Sequence, residues 1–252
     1  MTKVSVSKKD LQKFLLSFGK GLLDVRLSCS GSRITAELAY ASFYLRKSMV
    51  VSAAAIEEEG FFHVADLQKL LKFVKVSKSD FIKLRQTATD KPLHAVGGGN
   101  KLQMPSTDML ESASKVPVIR NLLKQGSDSA WTTMGEIKFT AHGTVDATDL
   151  TTLGEMRTLV AKESTFRLRI HAGESEFGMV AGKAASGRLF TTLPITNAEG
   201  PNATVQSHFG EWLPSCLEYL DDENVRVHMG DATLVVFEQD NTLLMVIDLA
   251  ED

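Results

Sequence analysis

Between Ser7 and Lys20 apolar residues fall at Leu11, Phe14, Leu15 and Phe18, the i, i+3, i+4, i+7 spacing of a helix with one buried face. Ser7 stands where an N-cap belongs. Asp10, three residues on, suits a first turn whose free amides and dipole favour negative charge. The period then changes: "DVRLSCSG", "RITAELAY" and "SFYLRKSMV" alternate apolar and polar residues, as half-buried antiparallel strands do. After Glu57-Glu58-Glu59-Gly60, helical spacing returns at Leu67, Leu70, Leu71 and Val74. "DFIKLRQ", "PLHAVGG" and "KLQMP" then read as three more strands.

The second half follows the same order. A strand over "KFTAHGTVDA" precedes a helix over "TDLTTLGEMRTLV", then strands "TFRLRIHAG", "EFGMVAG" and "GRLFTTLPI". A second helix is expected over "ATVQSHFGEWLPSCLEYL", followed by strands "NVRVHMG", "TLVVFEQ" and "TLLMVID". Moving 142 positions on from Leu67, Leu70, Leu71 and Val74 reaches Phe209, Trp212, Leu213 and Cys216, all apolar; moving 139 on from Asp10 and Leu11 reaches Asp149 and Leu150. A duplicated fold leaves this trace, because core periodicity is constrained while the surface is free to change. Pro214 interrupts the match, since proline in a helix interior removes a hydrogen bond and clashes with the preceding turn. The chain is read as two strand-rich domains, 1–104 and 135–252, with a connector over 105–134. That connector is unusual in carrying Val116, Val118, Ile119, Leu122 and Leu123.

Charge separates the halves. Residues 1–104 hold 17 Lys and Arg against 9 Asp and Glu, a balance of +8; residues 135–252 hold 8 against 19, a balance of −11. Such a split fits a basic surface for a polyanion, or halves of neighbouring subunits that attract each other. The helical wheel places Lys9, Lys13 and Lys20 opposite the apolar face of the first helix. It places Lys69 and Lys72 opposite that of the second, with Lys75 and Lys78 continuing past its end. Lysines without interleaved aromatic or amide side chains contact phosphates and do not read base edges. The matching second-half positions hold Glu211, Pro214, Leu217 and Leu220, leaving only Arg157 and Lys162 near its first helix.

The chemistry of an enzyme is hard to find. "GMVAGKAASG" has three residues between its glycines where a phosphate-binding loop needs four, and Ala184 follows Lys183 where a hydroxyl is needed. "VGGGN" at 96–100 is expected to be a loose turn between strands. Histidines 63, 94, 142, 171, 208 and 228 stand singly, without HExxH, and the acidic runs "EEEG" and "LDDEN" are expected at turns. Cys29 and Cys216 lack partners at metal or redox spacing and read as small core residues. No stretch has the length of a membrane helix, and the first residues lack the apolar segment of a secretion signal, so a cytoplasmic location is expected.

The block "VQSHFGEWLPSCLEYLDDENVRVHMGDATLVVFEQDNTLLMVIDLAED" and, in the first half, "FFHVADLQKLLKFVKVSKSDFIKLRQ" resemble the DNA sliding clamps, of the two-domain kind typified by proliferating cell nuclear antigen and the tailed-phage clamps. The resemblance covers nearly the whole chain in organisation and rests on pattern, without an invariant signature. It implies an α+β DNA clamp fold: two similar domains, each with antiparallel sheets and two helices, joined head to tail as a homotrimeric six-domain ring around duplex DNA. It implies a processivity factor that needs no cofactor or metal and is not an enzyme. Its partners would be double-stranded DNA held without regard to sequence, a DNA polymerase, a clamp loader and further copies of the chain. Lys9, Lys13, Lys20, Lys69, Lys72, Lys75, Arg157 and Lys162 would then contact DNA. Tyr40, Phe43, Val118, Ile119, Leu122 and Leu249 would form a pocket for partner peptides. Lys101, Leu102 and Met104 would meet Arg188, Leu189 and Phe190 of the next subunit. The weak identity to cellular clamps favours a viral source, and hence the host cytoplasm. Two other readings stay open: a viral processivity factor that holds DNA on a basic face as a monomer or dimer, and a small nucleotide-binding enzyme.

Overall fold

The computed structural model describes residues 1–19, 22, 24–40, 42–105, 111–125, 131–155, 166–171, 176–181, 189–200, 207–209, 216–221, 223–230 and 234–247. The chain clusters into two units: Met1–Tyr40 with Leu45–Val116, and Ala41–Tyr44 with Pro117–Asp252.

The first unit runs β1 (Thr2–Ser7), α1 (Lys8–Leu16), β2 (Val25–Ser30), β3 (Arg33–Ala39), β4 (Phe43–Val50), β5 (Ile56–Glu58), β6 (Gly60–Val64), α2 (Leu67–Val76), β7 (Phe81–Gln86), β8 (Leu93–Gly97), β9 (Asn100–Met104) and α3 (Glu111–Ser114). Both main helices start on side-chain caps. Ser7 accepts from the Asp10 amide at 3.4 Å, and Asp66 accepts from the Lys69 amide at 2.7 Å, so amides that no helical carbonyl can reach are satisfied. The helices lie side by side and antiparallel. Lys8 Nζ donates to the Ser77 carbonyl at 2.6 Å near one end, and Gln68 Nε2 donates to the Gly19 carbonyl at 3.2 Å near the other.

Strands β5, β1, β7, β8 and β9 form one antiparallel sheet in that order, and β4, β3, β2 and β6 neighbour one another in a second. The strand alternation read from sequence is visible in burial: Val4, Val6, Ile82, Leu84, Leu93 and Ala95 face inward with Leu11, Leu15, Leu67 and Leu70 from the helices. Two details correct the sequence reading. Glu57 and Glu58 lie in β5 and not in a turn, because β5 pairs with β1 and Lys3 makes an ion pair with Glu57. "VGGGN" is a tight hairpin: Gly97 faces Asn100, and Gly98 and Gly99 take φ of 58° and 84°, the left-handed backbone a two-residue turn demands.

The second unit continues with α4 (Val116–Leu122), β10 (Leu123–Gln125), β11 (Trp131–Met134), β12 (Ile137–Val145), α5 (Ala147–Glu155), β13 (Phe166–His171), β14 (Glu176–Ala181), β15 (Leu189–Pro194), β16 (Thr196–Glu199), β17 (Ser207–Phe209), β18 (Val225–Gly230), β19 (Leu234–Gln239) and β20 (Thr242–Ile247). Strands β10, β11, β12, β18, β19 and β20 are neighbours in that order, with β16 also on β12; β15, β14, β13 and β17 form another sheet. The helix expected over 203–220 is corrected at its start. Phe209 lies in β17 and pairs with Phe166, so its apolar side chain matched the repeat while its backbone joined a sheet. Helical backbone is described at Cys216 and Leu217, both buried; Trp212, Leu213 and Pro214 lie outside the described residues.

Candidate nucleic-acid interface and docking surfaces

Helices α1 and α2 bury Leu11, Phe14, Leu15 and Leu67, Leu70, Leu71, Val74 respectively, and this fixes what the opposite face shows. Lys9 and Lys13 of α1 and Lys69, Lys72 and Lys75 of α2 are all exposed. Since the two helices are neighbours, five ammonium groups share one side of the first unit. A shallow depression of about 560 Å³ opens there, lined by Ser7, Lys8, Lys9, Gln12, Lys13, Leu16 and Asp80. Ammonium groups on flexible stems, spread over two adjacent helices, can neutralise phosphates at many registers. Lys20, Arg157 and Lys162 lie outside the described residues.

The second unit offers a different helix. Asp146 caps α5 by accepting from the Thr148 amide at 2.8 Å. Thr151 and Thr152 donate back to the carbonyls of Ala147 and Thr148, each at 3.0 Å. Its described solvent side is Thr148, Thr151, Thr152 and Glu155, with no basic residue.

The aliphatic connector contains a short helix, α4. Val116, Ile119 and Leu123 are buried at helical spacing, whereas Val118 is 58% and Leu122 40% exposed. Leu122 ends the helix, and its carbonyl accepts from the Gly135 amide at 3.0 Å, tying the helix end to the β11–β12 turn. Of the other residues expected around a peptide pocket, Phe43, which clusters with the second unit, is buried, and its ring lies 5.7 Å from that of Tyr219 in the same unit. Tyr40 is half-buried and its hydroxyl donates to Asp24 at 3.4 Å. Leu249 lies outside the described residues.

Of the residues expected at a subunit contact, Lys101, Leu102 and Met104 lie in β9 and Leu189 and Phe190 in β15, each the last strand of its sheet; Arg188 lies outside the described residues. Lys101 is exposed, Leu102 half-buried and Met104 fully buried, while Phe190 is 68% exposed. Terminal strands present unpaired backbone groups on which a further strand can form.

The structure brings together two histidines that sequence reading kept apart. His142 and His228 face each other across β12 and β18, with their Nδ1 atoms 2.8 Å apart, so one Nδ1 carries the proton and the other accepts it. His228 Nε2 lies 3.2 Å from Glu238 Oε2, which is also 3.7 Å from Arg226 Nε. Among the described residues no group of three or more His, Cys, Asp or Glu could hold a metal. Burial pushes the thiols of Cys29 and Cys216 up to about 12, with the Glu218 charge adding to the effect at Cys216. The described part of "GMVAGKAASG", Gly178–Ala181, lies in β14. No helix among the described residues is long and apolar enough to cross a membrane.

Sequence reading missed the two buried glutamines that brace loops. Gln86 accepts from the His63 amide and donates to the Lys91 carbonyl, both at 2.8 Å. Gln239 accepts from the Asp221 amide at 2.9 Å and donates to the carbonyls of Asp221 and Glu223 at 2.8 and 2.9 Å. The turn "LDDEN" is thereby held in place from β19. Local sequence holds no signal for either: Arg85 and Thr87 flank Gln86, and Glu238 and Asp240 flank Gln239.

No protein-family model and no curated sequence matches the chain. Solved structures do. A protein described as a DNA polymerase III beta subunit from Eubacterium rectale superposes with a TM-score of 0.75 at 10% identity, over 99% of this chain and 66% of its own. The Helicobacter pylori beta clamp bound to a DNA ligase peptide gives 0.70 at 15%, over 99% and 67%. Proliferating cell nuclear antigen from Entamoeba histolytica gives 0.66 at 12%, over 98% and 97%. The chain thus spans about two thirds of the length of the bacterial subunits and nearly all of the amoebal one. Its fold is the α+β fold of the DNA sliding clamps.

Proposed function

We propose that the chain is a sliding-clamp subunit, a processivity factor that encircles duplex DNA and tethers a polymerase. The observation that carries this is the exposed lysine face of the adjacent helices α1 and α2 on a clamp fold. In an encircling protein the grip on DNA need not be tight, because the topological link retains the duplex while weak, salt-sensitive phosphate contacts let it slide. The ring is a homotrimer, closed head to tail by β9 of one copy against β15 of the next. Such a heterologous contact closes only by rotation, and the opposite net charges of the two halves favour it.

Val118 and Leu122 on α4 are the docking side chains for a polymerase or loader peptide, with Tyr40, Phe43, Ile119 and Leu249 as the remaining pocket residues. The ligase peptide on the Helicobacter clamp supports this kind of partner. The chain performs no catalytic step in this reading and requires no cofactor. A second reading, a monomer or dimer holding DNA on one basic face, draws on the absence of basic residues from the described solvent side of α5.

Two measurements on the same preparation decide. Light scattering should give three times 27.6 kDa, and a mass that stays at one copy at every concentration removes the ring. Primer extension by the cognate polymerase with its loader should yield long tracts with the natural protein and short ones with Lys13→Glu/Lys72→Glu at unchanged mass. Tracts of undiminished length would remove the helical face from the DNA contact.

A further inference from the structure

The sheet β5-β1-β7-β8-β9 has a second side, away from the buried one, and its registers define what that side carries. Lys3 faces Arg85, which faces His94, which faces Gln103; one step along, Ser5 faces Lys83, which faces Val96, which faces Lys101. One step further, Ser7 faces Phe81. Cross-strand partners point to the same side of a sheet, and the intervening Val4, Ile82, Leu84, Leu93, Ala95 and Met104 are all buried, so these rows face solvent. Lys83, Arg85, His94, Lys101 and Gln103 are exposed, and Phe81 is 58% exposed. Glu57 on β5 pairs with Lys3 at one border, and the hydrogen bond from Lys3, with smaller help from the charges of Lys3 and Lys83, holds its carboxyl below the usual range. The result is a sheet face whose Lys3 border is balanced by Glu57 and by Glu58, the residue facing Lys3, with cations at Lys83, Arg85 and Lys101 and the ring of Phe81 on the same side.

We infer that this sheet face binds single-stranded nucleic acid, with Lys83, Arg85 and Lys101 on the phosphates and Phe81 stacked on a base. Residues i and i+2 of a strand are about 6.7 Å apart and neighbouring strands about 4.8 Å, so the cations can follow one extended backbone across the sheet. A duplex would use the charges but not the ring, because its bases are already stacked on each other. A single strand presents free π-faces, and an aromatic beside cations on an open platform is how such strands are held without regard to sequence. The site lies on the sheet, separate from the lysines of α1 and α2, and requires neither a ring nor a duplex. It uses the face of β9, so a strand added to the edge of β9 would leave it open.

The test is fluorescence anisotropy of a labelled oligothymidylate of about twenty nucleotides at low salt, with the full chain. Phe81→Ala should weaken binding about tenfold, the loss of one stacked base, while Phe81→Tyr keeps it. Lys83→Glu/Arg85→Glu should weaken it by more than tenfold and flatten the salt dependence by about 1.4 in log–log slope. Lys13→Glu/Lys72→Glu should leave it within about twofold, and all variants should melt as the natural protein does because the positions are exposed. The inference is overturned if the natural protein does not bind the oligonucleotide. It is equally overturned if the helix variant loses binding while the sheet variants keep it. Polyglutamate displacing the oligonucleotide at equal charge, with Phe81→Ala silent, would assign the face to an acidic peptide instead.

Discussion

Helix α1 starts behind Ser7 and turns Lys9 and Lys13 to solvent; helix α5 starts behind Asp146 and turns Thr148, Thr151, Thr152 and Glu155 to solvent. Their inner sides match, with Leu11 and Leu150 buried and Asp10 and Asp149 in the first turns. The outer sides do not. Lysines project charge into solvent, whereas two threonines of α5 spend their hydroxyls on carbonyls of their own helix. What the two share is the part a core constrains. What separates them is the outward side, and under the proposed function the phosphate contact is carried by the lysines of the first unit.

The largest effect expected tests what the units have in common. Cys29 in one and Cys216 in the other are both buried, with thiols pushed up to about 12. At pH 8 each should react with a thiol reagent about three orders of magnitude more slowly than in the unfolded chain, measured by mass spectrometry over time. If Cys216 labels quickly while Cys29 stays protected, the second unit opens on its own and the likeness ends there. Because the native thiols are raised, the stability they contribute is complete below the unfolded value of about 8.5. It is lost as pH rises from there toward about 12.

Next come the buried glutamines. Gln86→Met removes two hydrogen bonds and Gln239→Met three, leaving part-buried backbone groups without those partners. We expect about 2 kcal/mol lost for the first and about 3 for the second, read from urea midpoints. Equal losses would mean that the "LDDEN" turn finds other partners. The smallest effect sharpens the difference between helices. Lys9→Glu should weaken duplex binding about tenfold by anisotropy at low salt, and Thr148→Glu should change it by less than about twofold. A comparable loss from Thr148→Glu would bring α5 back to the DNA.

Much of the first unit was legible. Its two helices and alternating strands were visible because each buries one face, and burial on one face forces a period of 3.6 or of 2. The lysine face of α1 and α2 followed from the same wheel, since whatever is not inward is outward. The exposed half of the connector was legible only in part. Five aliphatics in a row of ten marked it, but only the helical turn of α4 divides them into buried Val116, Ile119 and Leu123 and exposed Val118 and Leu122. Phe209 misled because one apolar residue fits either period until a neighbouring strand claims its backbone. The pairing of His142 with His228 was invisible for a simpler reason: 86 residues separate them, and strand register brings them together.

By itself the sequence determined the periods, the cap at Ser7 with Asp10 in the first turn and the outward lysines, all properties of residues within a few positions of one another, and the split of charge, which follows from composition alone. Tertiary structure decided which strands became neighbours and which ended a sheet. It also decided which side chains share a row, such as Lys3, Arg85 and His94 from three separate strands. Those outcomes depend on register between distant segments, and register is set by long-range backbone pairing that leaves no trace in local spacing.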